Sequence, residues 1–89
     1  MAATSAHQVT DNTSQQRFEL DDGGMTAYAE YHVKDRDLYI DYVFSPPELR
    51  GTGTAGRLME GVMEIARDRD YHVVPVCGYA VAWIKRHRL

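Results

Sequence analysis

Cysteine is nearly absent from this sequence of 89 residues, in which Cys77 is the only one. A single cysteine excludes an internal disulfide and is compatible with a reducing compartment. No apolar run approaches the roughly 20 residues of a membrane-spanning helix, and the N-terminus lacks the basic and then apolar order of a secretion signal. We therefore expect a cytoplasmic protein that does not contact a membrane.

An excess of positive charge is also lacking. The 10 lysines and arginines are outnumbered by 13 aspartates and glutamates, which gives a net charge of −3. This balance argues against a general electrostatic attraction to nucleic acid, so no nucleic-acid partner is expected. A chain of this length forms one domain, whose core buries only about 60% of the surface that the unfolded chain exposes. We expect a monomer or a weak homodimer, because so small a domain gains stability from association.

The N-terminal part of the chain shows no regular spacing of apolar side chains. Residues 1–16 are therefore predicted to be a disordered tail, followed by one folded domain over 17–89. The domain is predicted to begin with strands at 17–20 and 25–33, separated by the turn DDGG. A third strand, 38–44, is apolar on both faces, which is typical of a strand inside a sheet.

The second half of the domain predicts a helix, a strand and a helix. Residues 54–69 are amphipathic with helical spacing, 72–77 form a short apolar strand, and 79–88 form a closing helix. A strand, a helix and a strand in succession normally make a right-handed crossover between parallel strands. We predict an α/β (α+β) domain in which antiparallel strands lead into a β-α-β crossover and then a C-terminal helix. A glycine-rich loop and Cys77 should meet at one edge of its sheet.

That loop, ELRGTGTAGRL at 48–58, has its glycines at the GxGxxG spacing of dinucleotide-binding folds. The dinucleotide interpretation fails, because two prolines separate the glycines from the preceding strand. It also fails because no acidic residue follows about 20 positions later to hold a ribose. A Walker phosphate loop is excluded as well, since no lysine follows the glycines.

The order of strand, proline-bearing connection, arginine, glycine-rich turn and amphipathic helix still indicates an anion site. Backbone N–H groups and the positive end of a helix dipole come together in such a turn. Gly51 and Gly53 allow a phosphate to approach the backbone closely. Thr52, Thr54 and Arg50 add hydroxyl donors and positive charge. The alternative is an ordinary helix N-terminus that Thr54 caps, without a ligand.

The run Arg50-Gly51-Thr52-Gly53-Thr54-Ala55 also resembles the Arg/Gln-x-x-Gly-x-Gly/Ala signature of the GNAT acyltransferases. Together, PPELRGTGTAGRLM and, one helix later, VVPVCGY make the chain similar to the very small GNAT-like N-acetyltransferases. The resemblance covers Phe18 to His87. Many members of that family carry a histidine at or near the position of Tyr42, and this chain does not.

The resemblance implies a compact GNAT-like single domain that binds acetyl-CoA between two splayed parallel strands. As the co-substrate, acetyl-CoA would give its acetyl group to an amine that remains unidentified, because GNAT specificity resides in loops and helices mostly absent here. The acetyl thioester would lie near Cys77. The implied cofactor-binding residues are Phe44, Ser45, Arg50, Gly51, Thr52, Gly53, Thr54, Ala55 and Gly56.

Acyl transfer from a thioester to an amine needs a deprotonated amine, donors for the oxyanion and a proton for the leaving thiolate. The candidate catalytic residues are Cys77 and Tyr79. Tyr79 is either a proton donor or a core aromatic residue. Cys77 is an acyl relay, a neighbour of the thioester or a small buried residue, and we favour the neighbour because nothing assigns it a base. Asp41 and Glu48 are candidate bases for the amine.

Metal chemistry is not expected, since His32 and His72 have no ligand-like spacing with Cys77. Two functions from different classes therefore stay open. The first is an N-acetyltransferase that uses acetyl-CoA. The second is a non-catalytic module that binds CoA or another anion and regulates a partner.

Overall fold

A computed structural model describes residues 8–87, which form one mixed sheet with two helices. The strands are β1 (Thr10–Asn12), β2 (Arg17–Asp22), β3 (Met25–Lys34), β4 (Asp37–Phe44) and β5 (His72–Pro75), and the helices are α1 (Thr54–Asp68) and α2 (Gly78–Arg86). The strands lie in the order β1-β2-β3-β4-β5; β1 to β4 are antiparallel, and β4 and β5 are parallel. The predicted α+β domain with its β-α-β crossover and C-terminal helix is confirmed.

The turn of the β2–β3 hairpin is shorter than the sequence predicts. Strand β2 continues to Asp22, which pairs with Met25, so only Gly23 and Gly24 remain in the turn. Their φ angles are 63° and 85°. Two consecutive residues with positive φ give the turn whose twist matches the flanking strands, which explains the two glycines. As a result Asp22 stands at the very end of the hairpin.

Both helices pack on the same face of the sheet, where alternate strand residues are buried. The core consists of Phe18, Leu20, Ala27, Ala29, Tyr31, Leu38 and Ile40 from the strands, Leu58, Met59, Val62 and Ala66 from α1, and Ala80 and Trp83 from α2. Within residues 8–87, no helix covers the opposite face of the sheet. Neither helix is long and apolar enough to cross a membrane.

The first strand lies in the segment that was predicted to be disordered. Residues 1–7 of that segment lie outside the described residues, but Thr10–Asn12 pairs with β2. The Asp11 carboxylate accepts hydrogen bonds from the Tyr31 hydroxyl at 2.5 Å and the Arg69 guanidinium at 2.6 Å, and its side chain is only 8% exposed. Polar contacts hold this strand, so a search for apolar periodicity missed it. The folded part therefore begins before Arg17, contrary to the prediction.

Candidate functional site

Strands β4 and β5 separate from each other after Ile40. Their ladder pairs Asp37–Ile40 with His72–Pro75. The Ile40 carbonyl then accepts hydrogen bonds from both the Val76 and the Cys77 N–H groups, at 3.0 and 3.1 Å. Beyond this point the chain turns into α2, while β4 continues to Phe44. The gap lies at the carboxyl ends of two parallel strands, where open α/β sheets bind their ligands.

A groove with a volume of about 380 Å³ opens at this gap. Its walls come from the end of β4, the glycine-rich loop, the first turn of α1 and the start of α2. The lining residues are Tyr42, Val43, Phe44, Ser45, Leu49, Arg50, Gly51, Gly53, Thr54, Ala55, Gly56 and Tyr79. All of the predicted site residues except Thr52 and Cys77 are among them.

Two glycines give the loop a backbone shape that other residues rarely adopt. Gly51 and Gly53 have φ angles of 82° and 89°, in the left-handed region that favours glycine. Gly53 is the N-cap of α1, and no side chain caps the helix. Thr54 is the first helical residue, so the expected capping by Thr54 is wrong. The first N–H groups of α1 remain available to an anion.

Asp22, at the end of the β2–β3 hairpin, holds the start of α1. Its Oδ2 accepts hydrogen bonds from Thr54 Oγ1 at 2.8 Å and from Arg57 Nη2 at 2.6 Å. The Arg57 guanidinium also lies against the loop, because its Nη1 would be 3.8 Å from a Cβ at Gly53. Helical spacing predicts only that Arg57 faces water. The structure places its positive charge beside the glycine-rich loop.

Three further polar side chains lie in the glycine-rich loop or at the end of β4. Arg50 Nε donates to the Ser45 carbonyl at 3.0 Å, which ties the loop to the end of β4. The Thr52 hydroxyl bonds to the Leu49 carbonyl at 2.5 Å and to Thr54 Oγ1 at 2.8 Å, so Thr52 stabilises the loop from within. Ser45 Oγ is buried without a hydrogen-bond partner among residues 8–87. A buried hydroxyl without a partner at a groove is a group that a ligand can satisfy.

The two predicted catalytic residues are placed differently. Tyr79 lines the groove with 37% of its surface exposed. Partial burial raises the pKa of its phenol, against a smaller opposite effect of Arg86. Tyr79 therefore keeps its proton at neutral pH and can donate it. Cys77 directly precedes α2, is half-buried against the core, and is not among the described residues that line the groove.

The described residues supply no general base to the groove. Among residues 8–87, no carboxylate or imidazole lines it. Asp41 lies on β4 beside the groove, but its Oδ2 is 2.8 Å from Nδ1 of His32. Glu48 is exposed in the 3₁₀ turn Pro47–Leu49. The same described residues hold no group of three or more His, Cys, Asp or Glu that could bind a metal.

Sequence reasoning missed three residues of the groove, Tyr42, Val43 and Leu49. A signal existed for Tyr42 and Val43, since both belong to the strand whose end was predicted to reach the site. Leu49 had no such signal, because it reaches the groove through the 3₁₀ turn that begins at the second proline, Pro47.

Comparison with curated proteins gives no match for this chain. Comparison with family models gives a match over residues 17–89 to the family described as GCN5-related N-acetyl-transferase. The matched region contains every residue that lines the groove. Membership implies acetyltransferase-type activity, and such enzymes typically use acetyl-CoA. With most of its length matched, the chain belongs to the GCN5-related N-acetyltransferase (GNAT) family.

Proposed function

We propose that this protein is an N-acetyltransferase that transfers the acetyl group of acetyl-CoA to an amine. The observation that carries the proposal is the groove itself. The groove brings together the N-terminus of α1, which no side chain caps, and the two left-handed glycines of the loop. The open edge of β4 and the phenol of Tyr79 line the same groove. These are the features that a long ligand with an anionic end and a thioester end requires.

The glycine-rich loop receives the pyrophosphate of acetyl-CoA. The N–H groups of Gly53 to Gly56 and the positive end of the α1 dipole face this position. Arg50 and Arg57 supply positive charge at two sides of the loop, and each can form a forked contact with phosphate oxygens. Asp22 offsets part of the Arg57 charge, but it also fixes the guanidinium beside Gly53.

The pantetheine arm lies along β4 after the strand leaves β5. From Asp41 to Phe44, the edge of β4 on the β5 side has no strand partner among residues 8–87. An exposed strand edge pairs readily with an extended chain that carries amide groups, and pantetheine has two. The unpartnered Ser45 hydroxyl at the end of this edge offers a further hydrogen bond.

The acetyl transfer then proceeds by direct attack. The amine nitrogen forms a bond to the thioester carbonyl carbon, and the carbon–sulfur bond breaks. The Tyr79 phenol donates its proton to the departing thiolate and regains a proton from solvent, to which Tyr79 is partly exposed. The amine loses its own proton to water, because no described carboxylate or imidazole lines the groove. Cys77 takes no covalent part.

The missing base favours a second candidate function, a module that binds CoA and regulates a partner without turnover. Release of free thiol from acetyl-CoA in the presence of candidate amines separates the two functions. The enzyme releases thiol in proportion to acetylated amine. The regulatory module binds the ligand and releases none.

The binding test compares acetyl-CoA with NAD. A ligand that binds only the folded state stabilises it by RT ln(1 + [L]/Kd), so Tm should rise with the logarithm of acetyl-CoA concentration. NAD should leave Tm unchanged. A rise with NAD and none with acetyl-CoA would restore the dinucleotide interpretation. Mass spectrometry of the purified protein adds a direct check for bound acetyl-CoA and for an acetyl group on Cys77.

A further inference from the structure

The sheet face that the helices leave open carries a group of aromatic rings, which we call the aromatic face. It consists of Tyr28, His32, Tyr39, Tyr42 and Phe44. The ring centroid of Tyr28 lies 6.5 Å from that of Tyr42 and 5.2 Å from that of Phe44. Further along the strands, His32 and Tyr39 stack at 4.5 Å. Tyr42 is 48% exposed, so this surface is available to a partner.

Carboxylates lie among these rings. Glu30 pairs with Tyr42 across β3 and β4, is exposed, and forms no ion pair within residues 8–87. Asp41 is 38% exposed and contacts His32. A cation already lies on the β2 side of the face. Arg17 pairs with Glu30 in register across β2 and β3. Its guanidinium lies 4.4 Å over the Tyr28 ring, and its Nε donates to Glu19 at 2.7 Å. Rings and carboxylates together attract cations more strongly than either does alone.

The aromatic face is continuous with the groove. Tyr42 and Phe44 belong to the aromatic face and also line the groove. The gap between β4 and β5 opens at these residues, so a side chain that lies on the face can enter the gap. The chain as a whole carries a net charge of −3, which adds to the attraction for a basic partner.

We propose that the acetyl acceptor is an extended, basic polypeptide segment that lies on the aromatic face and directs one lysine into the gap. This inference rests on the proposed acetyltransferase function. Basic residues beside that lysine pair with Glu30 and Asp41, while the lysine stem packs against the Tyr42 ring. A small amine would contact only the groove, because small ligands bind in concave sites that enclose most of their surface and the aromatic face is open, whereas an extended segment contacts both.

The experiment uses three peptides with a single lysine, flanked on both sides by arginines, by glutamines or by glutamates. Thiol release from acetyl-CoA gives kcat/KM for each peptide, and spermidine serves as the small polyamine. We expect kcat/KM for the arginine peptide to be roughly tenfold higher than for the glutamine peptide, and kcat/KM for the glutamate peptide to be the lowest, because charge steers association. The advantage should decrease as salt is added.

Glu30→Gln tests the surface directly, with Asp68→Asn as the control. Asp68 is an exposed carboxylate at the end of α1, so both variants remove one negative charge. Glu30→Gln should raise KM for the arginine peptide about fivefold and leave kcat, the affinity for acetyl-CoA and the glutamine-peptide KM unchanged. Asp68→Asn should leave all of these values unchanged.

Fluorescence anisotropy of the labelled arginine peptide on CoA-saturated protein measures docking without turnover. Binding that Glu30→Gln weakens, together with thiol release, supports the inference. The same binding without thiol release would leave a docking site for a basic segment and would overturn both the proposed function and the role of the segment as acceptor. The inference is overturned by equal use of the three peptides, by a preference for spermidine, or by peptide binding that does not depend on Glu30. Absence of acetyl-CoA binding by the wild type would remove the proposed function and this inference together.

Discussion

The two ends of α1 are held by the same chemistry with different consequences. At its start, the Arg57 guanidinium contacts the Asp22 carboxylate, and just after its end Arg69 contacts Asp11, both at 2.6 Å. Each aspartate comes from a strand and also accepts a hydroxyl hydrogen bond, from Thr54 or from Tyr31. The side chain of Asp22 is 36% exposed, whereas that of Asp11 is 8% exposed; the two arginines differ little, at 40% for Arg57 and 45% for Arg69.

This difference in the exposure of the two aspartates separates the proposed ligand-binding end of α1 from its stabilising end. An exposed ion pair contributes little to stability, because water screens it. A shielded carboxylate is costly to leave without partners, so the contacts of Asp11 matter for folding. Asp22 instead fixes Arg57 and Thr54 beside an open groove, where a ligand can still reach the helix N-terminus. Similar contacts can therefore serve stability at one end and binding at the other.

The largest expected effect follows from Gly53→Val at the ligand-binding end. Valine at a φ of 89° is strained, and its side chain obstructs the approach of phosphate to the loop. We expect acetyl-CoA affinity to fall by at least about 100-fold, with a stability loss of roughly 1–3 kcal/mol. Calorimetric titration and circular dichroism measure the two effects.

Gly24→Val is the matched control for Gly53→Val. Gly24 has a φ of 85° in the hairpin turn and does not line the groove. It should lose similar stability and keep acetyl-CoA binding. Unchanged affinity in a natively folded Gly53→Val variant would show that the loop is only a structural turn.

The next largest effect is expected when the arginine at either end of α1 is replaced. Arg69→Ala leaves Asp11 with the Tyr31 contact alone and should lower the free energy of unfolding by about 1–2 kcal/mol, because Asp11 is shielded but Arg69 is partly exposed, with acetyl-CoA affinity unchanged. Arg57→Ala should cost less than about 1 kcal/mol. It should weaken acetyl-CoA binding several-fold. Urea unfolding and calorimetric titration of both variants measure the contrast, and the opposite pattern would reverse our assignment of the two ends.

The free energy of unfolding should depend on pH through Tyr31, which contacts Asp11 at the stabilising end of α1. Burial, and then the hydrogen bond to Asp11, raises the pKa of Tyr31 from 10.0 to about 12. A group whose pKa is raised by folding stabilises the protein fully below its unfolded pKa, and this stabilisation is lost as pH rises through the folded pKa. Tyr31 should therefore contribute on the order of 2 kcal/mol below pH 10 that disappears by about pH 12. Urea unfolding across this range should show a smaller decline in Tyr31→Phe, and equal declines would contradict the assignment.

The smallest effect is expected for Cys77→Ala beside the groove. Because Cys77 packs half-buried against the core, its truncation should cost about 1 kcal/mol. Acetyl-CoA binding and most of the transfer rate should remain. A nucleophilic Cys77 would instead lose several powers of ten in kcat on this change and would show burst kinetics in the wild type.

The sequence predicted the elements whose signals are local. The amphipathic spacing of α1 and the positions of the loop glycines follow from neighbouring residues. The parallel arrangement of β4 and β5 follows from the order of strand, helix and strand along the chain. The polar contacts that hold the two ends of α1 had no such local signal. Thr54 and Asp22 are 32 positions apart, and Arg69 and Asp11 are 58 positions apart. Contacts between polar side chains at such separations leave no periodicity in the sequence.

The short strand β1 has a consequence for how the limits of this domain are drawn. The family match starts at residue 17, after Asp11. A chain trimmed to that start would leave the Tyr31 hydroxyl and the Arg69 guanidinium without their acceptor. The hydrogen-bonded sheet therefore extends beyond the segment that sequence comparison outlines. We expect a shortened version of this protein to be more stable when it retains the residues from Thr10 onward.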